Sequence, residues 1–202
     1  MIAIIDYDMG NIHSVQKALE SLGEKTVIAA TPKEIKAADK VVLPGVGAYD
    51  DAVMALEKKN LLPALKEFIA QKKIFLGICL GMQLLFEDSQ EAKVKHGLGI
   101  LKGKSLRFKE KPGLKVPHMG WNQLSKIDAE CPLLKGVVKG SYVYFCHSYY
   151  PAPANKSVTA ATTDYGIDFS SVVWQDNIYG VQFHPEKSQD VGMRILKNFI
   201  AL

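Results

Sequence analysis

The sequence predicts an α/β fold with a mixed, mostly parallel central sheet, helices on both faces, and antiparallel hairpins in the second half. Two observations carry this. Through the first half, short apolar runs alternate with apolar residues at helical spacing, joined by short links, which is the pattern of a covered parallel sheet. From about residue 98 to 183 the chain instead holds short runs rich in Val, Tyr, Phe, Thr and Gly, the pattern of strands and hairpins. A chain of 202 residues, 48% of them apolar, supplies ample material for one core.

The elements follow in order. Residues 1–6 read as a buried strand, and Ile12, Val15, Leu19 and Leu22 then recur at helical spacing up to Gly23. Residues 25–30 form a second strand. Thr31-Pro32-Lys33-Glu34 is a capping box with proline at the first helical position, so a helix starts there. Residues 40–43 are a third strand, expected to be broken by Pro44-Gly45-Val46-Gly47. Helical patterns occupy 48–59 and 62–71, residues 73–78 form a fourth strand, and a helix is expected over 80–87. Later strands are expected at 141–146, 157–163, 169–174 and 178–183. A last helix over 189–201 carries Val191, Ile195, Leu196 and Phe199 on one side. Residues 93–115 are the one segment expected to be mobile.

Composition excludes several classes. A charged fraction of 23% with 48% apolar residues rules out wholesale disorder. The longest apolar run, 74–82, is too short to span a bilayer. The start, Met1-Ile2-Ala3-Ile4-Ile5-Asp6, lacks the basic leader of a signal peptide. Cys79, Cys131 and Cys146 are widely spaced and contain no Cys-x-x-Cys pair. Free thiols in a reducing compartment are expected, hence a cytoplasmic protein, with no metal site. The net charge of +4 is uneven. Residues 93–115 hold eight basic side chains and one acid, a local +7 that leaves −3 elsewhere. That segment reads as a solvated face or a docking surface for an acidic protein. Aromatics are not interleaved as nucleic-acid binding would require, so neither nucleic acid nor membrane is expected as a partner.

The stretch Ile74-Phe75-Leu76-Gly77-Ile78-Cys79-Leu80-Gly81-Met82-Gln83 runs from a strand through Gly-x-Cys-x-Gly into a helix. This is the cysteine form of the nucleophile elbow, in which a tight turn lifts the reactive atom to the carboxyl end of a sheet. Glycines at 77 and 81 leave room for neighbouring backbone. The first turn of the helix supplies free N–H groups that favour thiolate, and the Leu80 N–H can face a developing oxyanion. A buried, inert cysteine is the plainer alternative.

A thiol nucleophile needs a base and an orienting group. His184 follows an apolar strand at its carboxyl end, where Cys79 would also emerge, and Glu186 stands two residues on. Extended backbone, held by Pro185, would project both to one side, giving a Cys79–His184–Glu186 triad. The loop Gly45-Val46-Gly47 would lie at the same end, and its glycines permit a peptide flip that adds an oxyanion donor. A dinucleotide reading of that loop fails because Asp50 stands where a third glycine is needed.

Gly-Ile-Cys-Leu-Gly-Met-Gln at 77–83 with Phe-His-Pro-Glu at 183–186 resembles the class I (triad) glutamine amidotransferases. Further stretches are similar to members of that family that feed ammonia to a separate cyclase subunit in histidine biosynthesis. These are Asp6-Tyr7 with Gly10-Asn11, Pro44-Gly45-Val46-Gly47, Pro117-His118-Met119-Gly120-Trp121-Asn122, His147-Ser148-Tyr149 and Glu186-Lys187-Ser188. The resemblance covers the chain end to end and implies one glutamine amidotransferase domain over 1–202. Asp8 departs from the family pattern, where a small residue is common.

The resemblance implies glutamine hydrolysis through a Cys79 thioester, with His184 as general acid/base and Glu186 as its orienting group. Gly45, Val46, Gly47 and Leu80 would bind the oxyanion. Gln83, Glu91, Ser148 and Tyr149 would hold the amino and carboxylate groups of glutamine. Asn11, Met119, Trp121 and Lys187 would face the cyclase partner, in a heterodimer, and no cofactor is implied. It also implies that the oxyanion loop stays unflipped until the partner binds its ligand. The residues by themselves leave open a cysteine hydrolase of another class, an ammonia donor serving a sugar-modifying partner, or a catalytically silent subunit.

Overall fold

The computed structural model describes residues 1–202. The first half builds β1 (Ile2–Ile5), α1 (Ile12–Ser21), β2 (Thr26–Ala29), α2 (Pro32–Ala37), β3 (Lys40–Gly45), α3 (Tyr49–Lys58), α4 (Leu61–Ala70) and β4 (Ile74–Cys79). The second half continues with α5 (Leu80–Gln83), β5 (Phe86–Ser89), β6 (Leu101–Arg107), β7 (His118–Gln123), β8 (Lys126–Ile127), β9 (Tyr142–His147) and β10 (Tyr149–Pro153). It closes with β11 (Thr159–Asp164), β12 (Asp168–Gln175), β13 (Ile178–Val181) and α6 (Gln189–Ala201).

The central sheet has the order β2-β1-β3-β4-β13-β12-β11-β8. Its first five strands are parallel and its last three antiparallel, so the fold is the mixed, mostly parallel α/β arrangement expected. Two small sheets stand beside it, β10-β6-β5 and the antiparallel pair β7-β9. Residue alternation on the strands divides the core into two layers. Ala3, Ile5, Val41, Leu43 and Phe75 pack beneath α2, α3 and α4, whereas Ile2, Ile4, Val42, Leu76 and Ile78 pack beneath α1 and α6. The Thr31–Glu34 capping box forms as the sequence predicts, with both reciprocal bonds present. No helix is long and apolar enough to cross a membrane.

Four local expectations are corrected. β3 is not broken at Pro44 but pairs two residues further with β4, Pro44 opposite Ile78 and Gly45 opposite Cys79. Proline is tolerated there because β1, on the other side, has already ended at Val42. The helix expected over 80–87 is a single turn. Past Gln83 the chain pairs with the incoming 97–101 segment instead: Leu84 O accepts from Leu98 N, Leu85 O from Ile100 N and Leu101 N, and Phe86 O from Gly99 N. The strand expected from Ser157 begins at Thr159, because the Asn155 side chain accepts from Ser157 N and starts a 3-10 turn over Lys156–Val158. Finally, part of the segment expected to be mobile, β6, is the middle strand of a sheet, and Lys95, Lys102 and Arg107 each meet a carboxylate of this chain.

The consequence for function is positional. β3, β4 and β13 lie side by side and parallel, so Gly45, Cys79 and the segment after Val181 emerge at one end of the sheet.

Candidate active site

Cys79 sits where β4 turns into α5, with φ 54° and ψ −109°, a conformation L-residues rarely adopt. The turn closes tightly. A side chain at Gly77 would place its Cβ 2.5 Å from the Gly81 carbonyl oxygen, and one at Gly81 would run into the carbonyl of Leu43. A Cβ at Gly45 would lie 2.7 Å from Gly81 N. The glycines are thus required by backbone approach between neighbouring strands and the elbow. With α5 one turn long, the helix-dipole contribution expected from the sequence is largely lost, and the elbow offers only its local N–H groups.

Around the sulfur the structure brings together groups from three segments. His184 is buried and lines the same cavity as Cys79, and its Nδ1 donates to Glu186 Oε1 at 2.9 Å. As placed, the thiol is directed to the Cys146 carbonyl oxygen, 3.9 Å away. Burial alone pulls the imidazole pKa down. Hydrogen bonds and negative charge from Cys79 and Glu186 outweigh it and raise the value to about 10. The contact between His184 and Glu186 forms by a route other than the one expected. Residues 185–187 make a 3-10 turn, not extended backbone, and the turn brings the carboxylate back to Nδ1. Glu186 Oε2 is buried without a partner, while Oε1 also accepts from Asn11 Nδ2 at 3.5 Å.

A cavity of about 310 Å³ opens above this cluster. Cys79, His184, Leu80, Val46 and Gly47 line it, and so do Gln83, Glu91, Ser148 and Tyr149 from elsewhere in the chain. Gln83 donates from Nε2 to both Tyr149 O at 2.9 Å and Gln182 Oε1 at 3.1 Å, which leaves only its own Oε1 for a ligand. Burial raises the pKa of the Glu91 carboxyl. No group of three or more His, Cys, Asp or Glu is arranged to hold a metal ion, and all three cysteines are free.

The residues expected to face a partner divide. Met119 and Trp121 project from β7, 62% and 46% exposed. Lys187 lines the cavity and holds its ammonium over the Tyr144 ring at 6.0 Å. Asn11 is half-buried against the Glu186 carboxylate. Asp8, the departure from the family pattern, takes φ 66° and pairs with Lys59 at 2.8 Å.

Three features of the site were missed from sequence. Gln182, fully buried, donates from Nε2 to Cys79 Sγ at 3.5 Å. A lone amide inside the apolar run Val181-Gln182-Phe183, two residues before His184, was the available signal. Tyr7 donates its buried hydroxyl to Pro44 O at 2.8 Å, fixing the start of the 45–47 loop. Gly192 of α6 abuts the Pro185 carbonyl, so that helix seats the turn carrying Glu186.

The family model for glutamine amidotransferase class-I matches residues 3–202. The chain belongs to that family. It is 50% identical over 202 residues to the imidazole glycerol phosphate synthase subunit HisH of Thermosynechococcus vestitus, covering 100% of this chain and 96% of that one. To the subunit of the same name from Geobacter sulfurreducens it is 51% identical over 203 residues, covering 98% and 97%. Among solved structures, one described as a glutamine amidotransferase superposes with a TM-score of 0.77 at 14% identity, covering 100% of both chains. The glutaminase domain of Trypanosoma brucei CTPS with bound acivicin gives 0.68 at 17% identity, covering 99% of this chain and 92% of that one. At such low identity these structures bear on the fold, which is that of class I glutamine amidotransferases.

Proposed function

We propose that this chain, as one glutamine amidotransferase domain over 1–202, hydrolyses glutamine to glutamate and ammonia. The ammonia passes to the cyclase subunit of an imidazole glycerol phosphate synthase, which forms imidazole glycerol phosphate and an aminoimidazole carboxamide ribonucleotide in histidine biosynthesis. The observation that carries this reading is the Cys79 elbow opening into the same cavity as the His184–Glu186 pair.

In this reading the Cys79 thiolate adds to the side-chain amide carbon of glutamine. The N–H of Leu80 and the 45–47 loop stabilise the tetrahedral oxyanion; loss of one such donor costs about 2.7–4 kcal/mol of barrier. Protonated His184 gives its proton to the departing nitrogen, the C–N bond breaks and ammonia leaves a glutamyl thioester. Water then adds as His184 takes its proton, the C–S bond breaks, and glutamate departs with the thiolate restored. Glu186 keeps the imidazole oriented and favours its charged form. Gln83, Glu91, Ser148 and Tyr149 hold the amino-acid end of the substrate, the Gln83 Oε1 and Glu91 facing its ammonium.

Ammonia is mostly protonated in neutral water, so a synthesis that consumes NH₃ has to receive it without passage through solvent. In this reading the heterodimer meets that requirement, with Asn11, Met119, Trp121 and Lys187 at the contact. A thiol nucleophile also suits the reducing cytoplasm. Isotopically labelled glutamine supplied to the chain, alone and with its cyclase plus nucleotide ligand, tests the whole. Slow release alone, a rise by orders of magnitude in the complex, and a glutamyl adduct on Cys79 are expected; full activity without any partner contradicts the gating by the partner.

A further inference from the structure

At the cavity, whose wall includes His147, lies a polar pair that the mechanism above does not use. His118 on β7 and His147 on β9 stand opposite each other in the antiparallel register, both almost fully buried, with Nδ1 of His118 3.1 Å from Nε2 of His147. The rings are enclosed by aromatics. His118 stacks between Phe145 and Tyr165, with centroids 4.6 and 3.9 Å away, and Phe108 and Phe169 stand against His147.

Their neighbours settle the protons. Tyr149 O can only accept, and His147 Nδ1 lies 2.8 Å from it, so that nitrogen carries hydrogen. In a neutral ring the Nε2 of His147 is then bare and accepts, which requires hydrogen on His118 Nδ1. His118 Nε2 is bare in turn and accepts from Asn122 Nδ2 at 3.3 Å. The orientation of Asn122 is fixed independently, because its Oδ1 accepts from Gln123 N while its Nδ2 also donates to Asp164 O. Every donor therefore points one way, from Asn122 through both rings to the carbonyl of Tyr149. A proton added to either ring would set two donors against each other. Burial agrees with two neutral rings, lowering His118 to about 4 and His147 to about 3.

The chain of bonds ends on Tyr149, whose carbonyl also accepts from Gln83 Nε2, so one oxygen ties the pair to the cavity wall. We propose that His118 and His147 are positioning residues for the substrate: as a neutral, directionally protonated pair they hold the Ser148–Tyr149 segment and Gln83 in the geometry that grips glutamine. This rests on the reading that the cavity takes glutamine. Neither ring touches the reacting atoms in the scheme above, so their effect falls on substrate binding more than on turnover.

The test uses the chain assembled with its cyclase partner. H118L removes the donor to His147, while H118N restores an N–H near the position of Nδ1. H118L is expected to raise the KM for glutamine about tenfold, the worth of one buried hydrogen bond, with a far smaller fall in kcat, and H118N to recover most of it. Nitrogen-15 NMR of the imidazoles in the unmutated protein needs no variant; it should find both rings neutral and protonated at Nδ1 at pH 7. A KM in H118L equal to that of the unmutated protein overturns the proposal, as does equal damage by H118N and H118L, or Nε2 protonation of either ring. If the unmutated complex neither turns over glutamine nor is labelled at Cys79 by a glutamine-like diazoketone, the reading beneath the proposal falls, and the proposal with it.

Discussion

Gln182 and Cys79 are joined by a hydrogen bond of 3.5 Å from the amide Nε2 to the sulfur, and the same amide accepts from Gln83 through its Oε1. The side chain is fully buried and its two ends are committed, so the donor cannot swing away. A fixed N–H aimed at the sulfur gives the attacking atom a constant hydrogen-bond partner. Replacing Gln182 by Leu is expected to lower kcat/KM about 10- to 100-fold and to slow alkylation of Cys79 by iodoacetamide at pH 7, as loss of a hydrogen bond to a charged group should. Gln182→Glu keeps the acceptor for Gln83 but sets a carboxylate beside the sulfur, and should be worse. Alkylation rates unchanged in both variants would remove Gln182 from the site.

The second prediction concerns pH. His184 is raised from 6.5 to about 10, against the effect of its burial, by Cys79 and Glu186. A group whose folded pKa is raised stabilises the fold fully below its unfolded value and loses that contribution as pH climbs through the folded value. The contribution should therefore be whole below about pH 6.5 and gone above about pH 10. Glu186→Gln removes one of the two partners. The difference in thermal midpoint between the unmutated chain and E186Q is expected to be largest at neutral pH and below, and to shrink as pH rises toward 10. Glutaminase activity should fall about 10²- to 10⁴-fold, the range for a lost orienting carboxylate. A difference that grows with pH would contradict the assignment.

What the sequence could and could not reveal follows from the range of the interactions involved. The strand–helix half was legible because alternation, capping residues and glycines act within a few residues, as at Thr31–Glu34. The length of α5 was not, because the carbonyls of Leu84, Leu85 and Phe86, just past its end, are taken by backbone from residues 97–101. The strands of the second half could be located, but not the pairing of β7 with β9 or of β6 with β10, which joins distant segments. The same gap hid the His118–His147 pair, since nothing local sets those rings opposite each other. Cys79, His184 and Glu186 were legible because the elbow and the His-Pro-Glu turn are local signals, although the turn closes as a 3-10 helix and not as extended chain.

A third prediction tests how the turn bearing His184 and Glu186 is held. Gly192 lies in α6, and a side chain there would press into the carbonyl of Pro185. Ser188 reinforces the same corner, accepting from Tyr144 N at 3.0 Å and donating to His184 O at 2.6 Å. Gly192→Ala is therefore expected to push the turn out of place. A loss of about 1–3 kcal/mol in stability, typical of overpacking, should accompany a larger loss of glutaminase activity than stability alone explains. Chemical denaturation paired with single-turnover kinetics separates the two effects. Wild-type kinetics in a folded G192A protein would show that the turn tolerates the shift.

Trp121 offers the sharpest separation of fold from assembly. It projects from β7, 46% exposed, meeting the Tyr144 ring edge-on at 6.0 Å, and Met119 stands two residues before it on the same face. Within the isolated chain a side chain so exposed contributes little, so Trp121→Ala should shift stability by no more than about 0.5 kcal/mol. In a heterodimer a buried tryptophan is a frequent anchor, and its loss there costs about 2 kcal/mol or more, close to a 30-fold weakening of Kd for the cyclase. Binding measured by calorimetry, beside thermal unfolding of the free chain, reads both quantities. If Trp121→Ala unfolds the free chain and leaves cyclase affinity untouched, the tryptophan is a packing residue and the docking face lies elsewhere on the molecule.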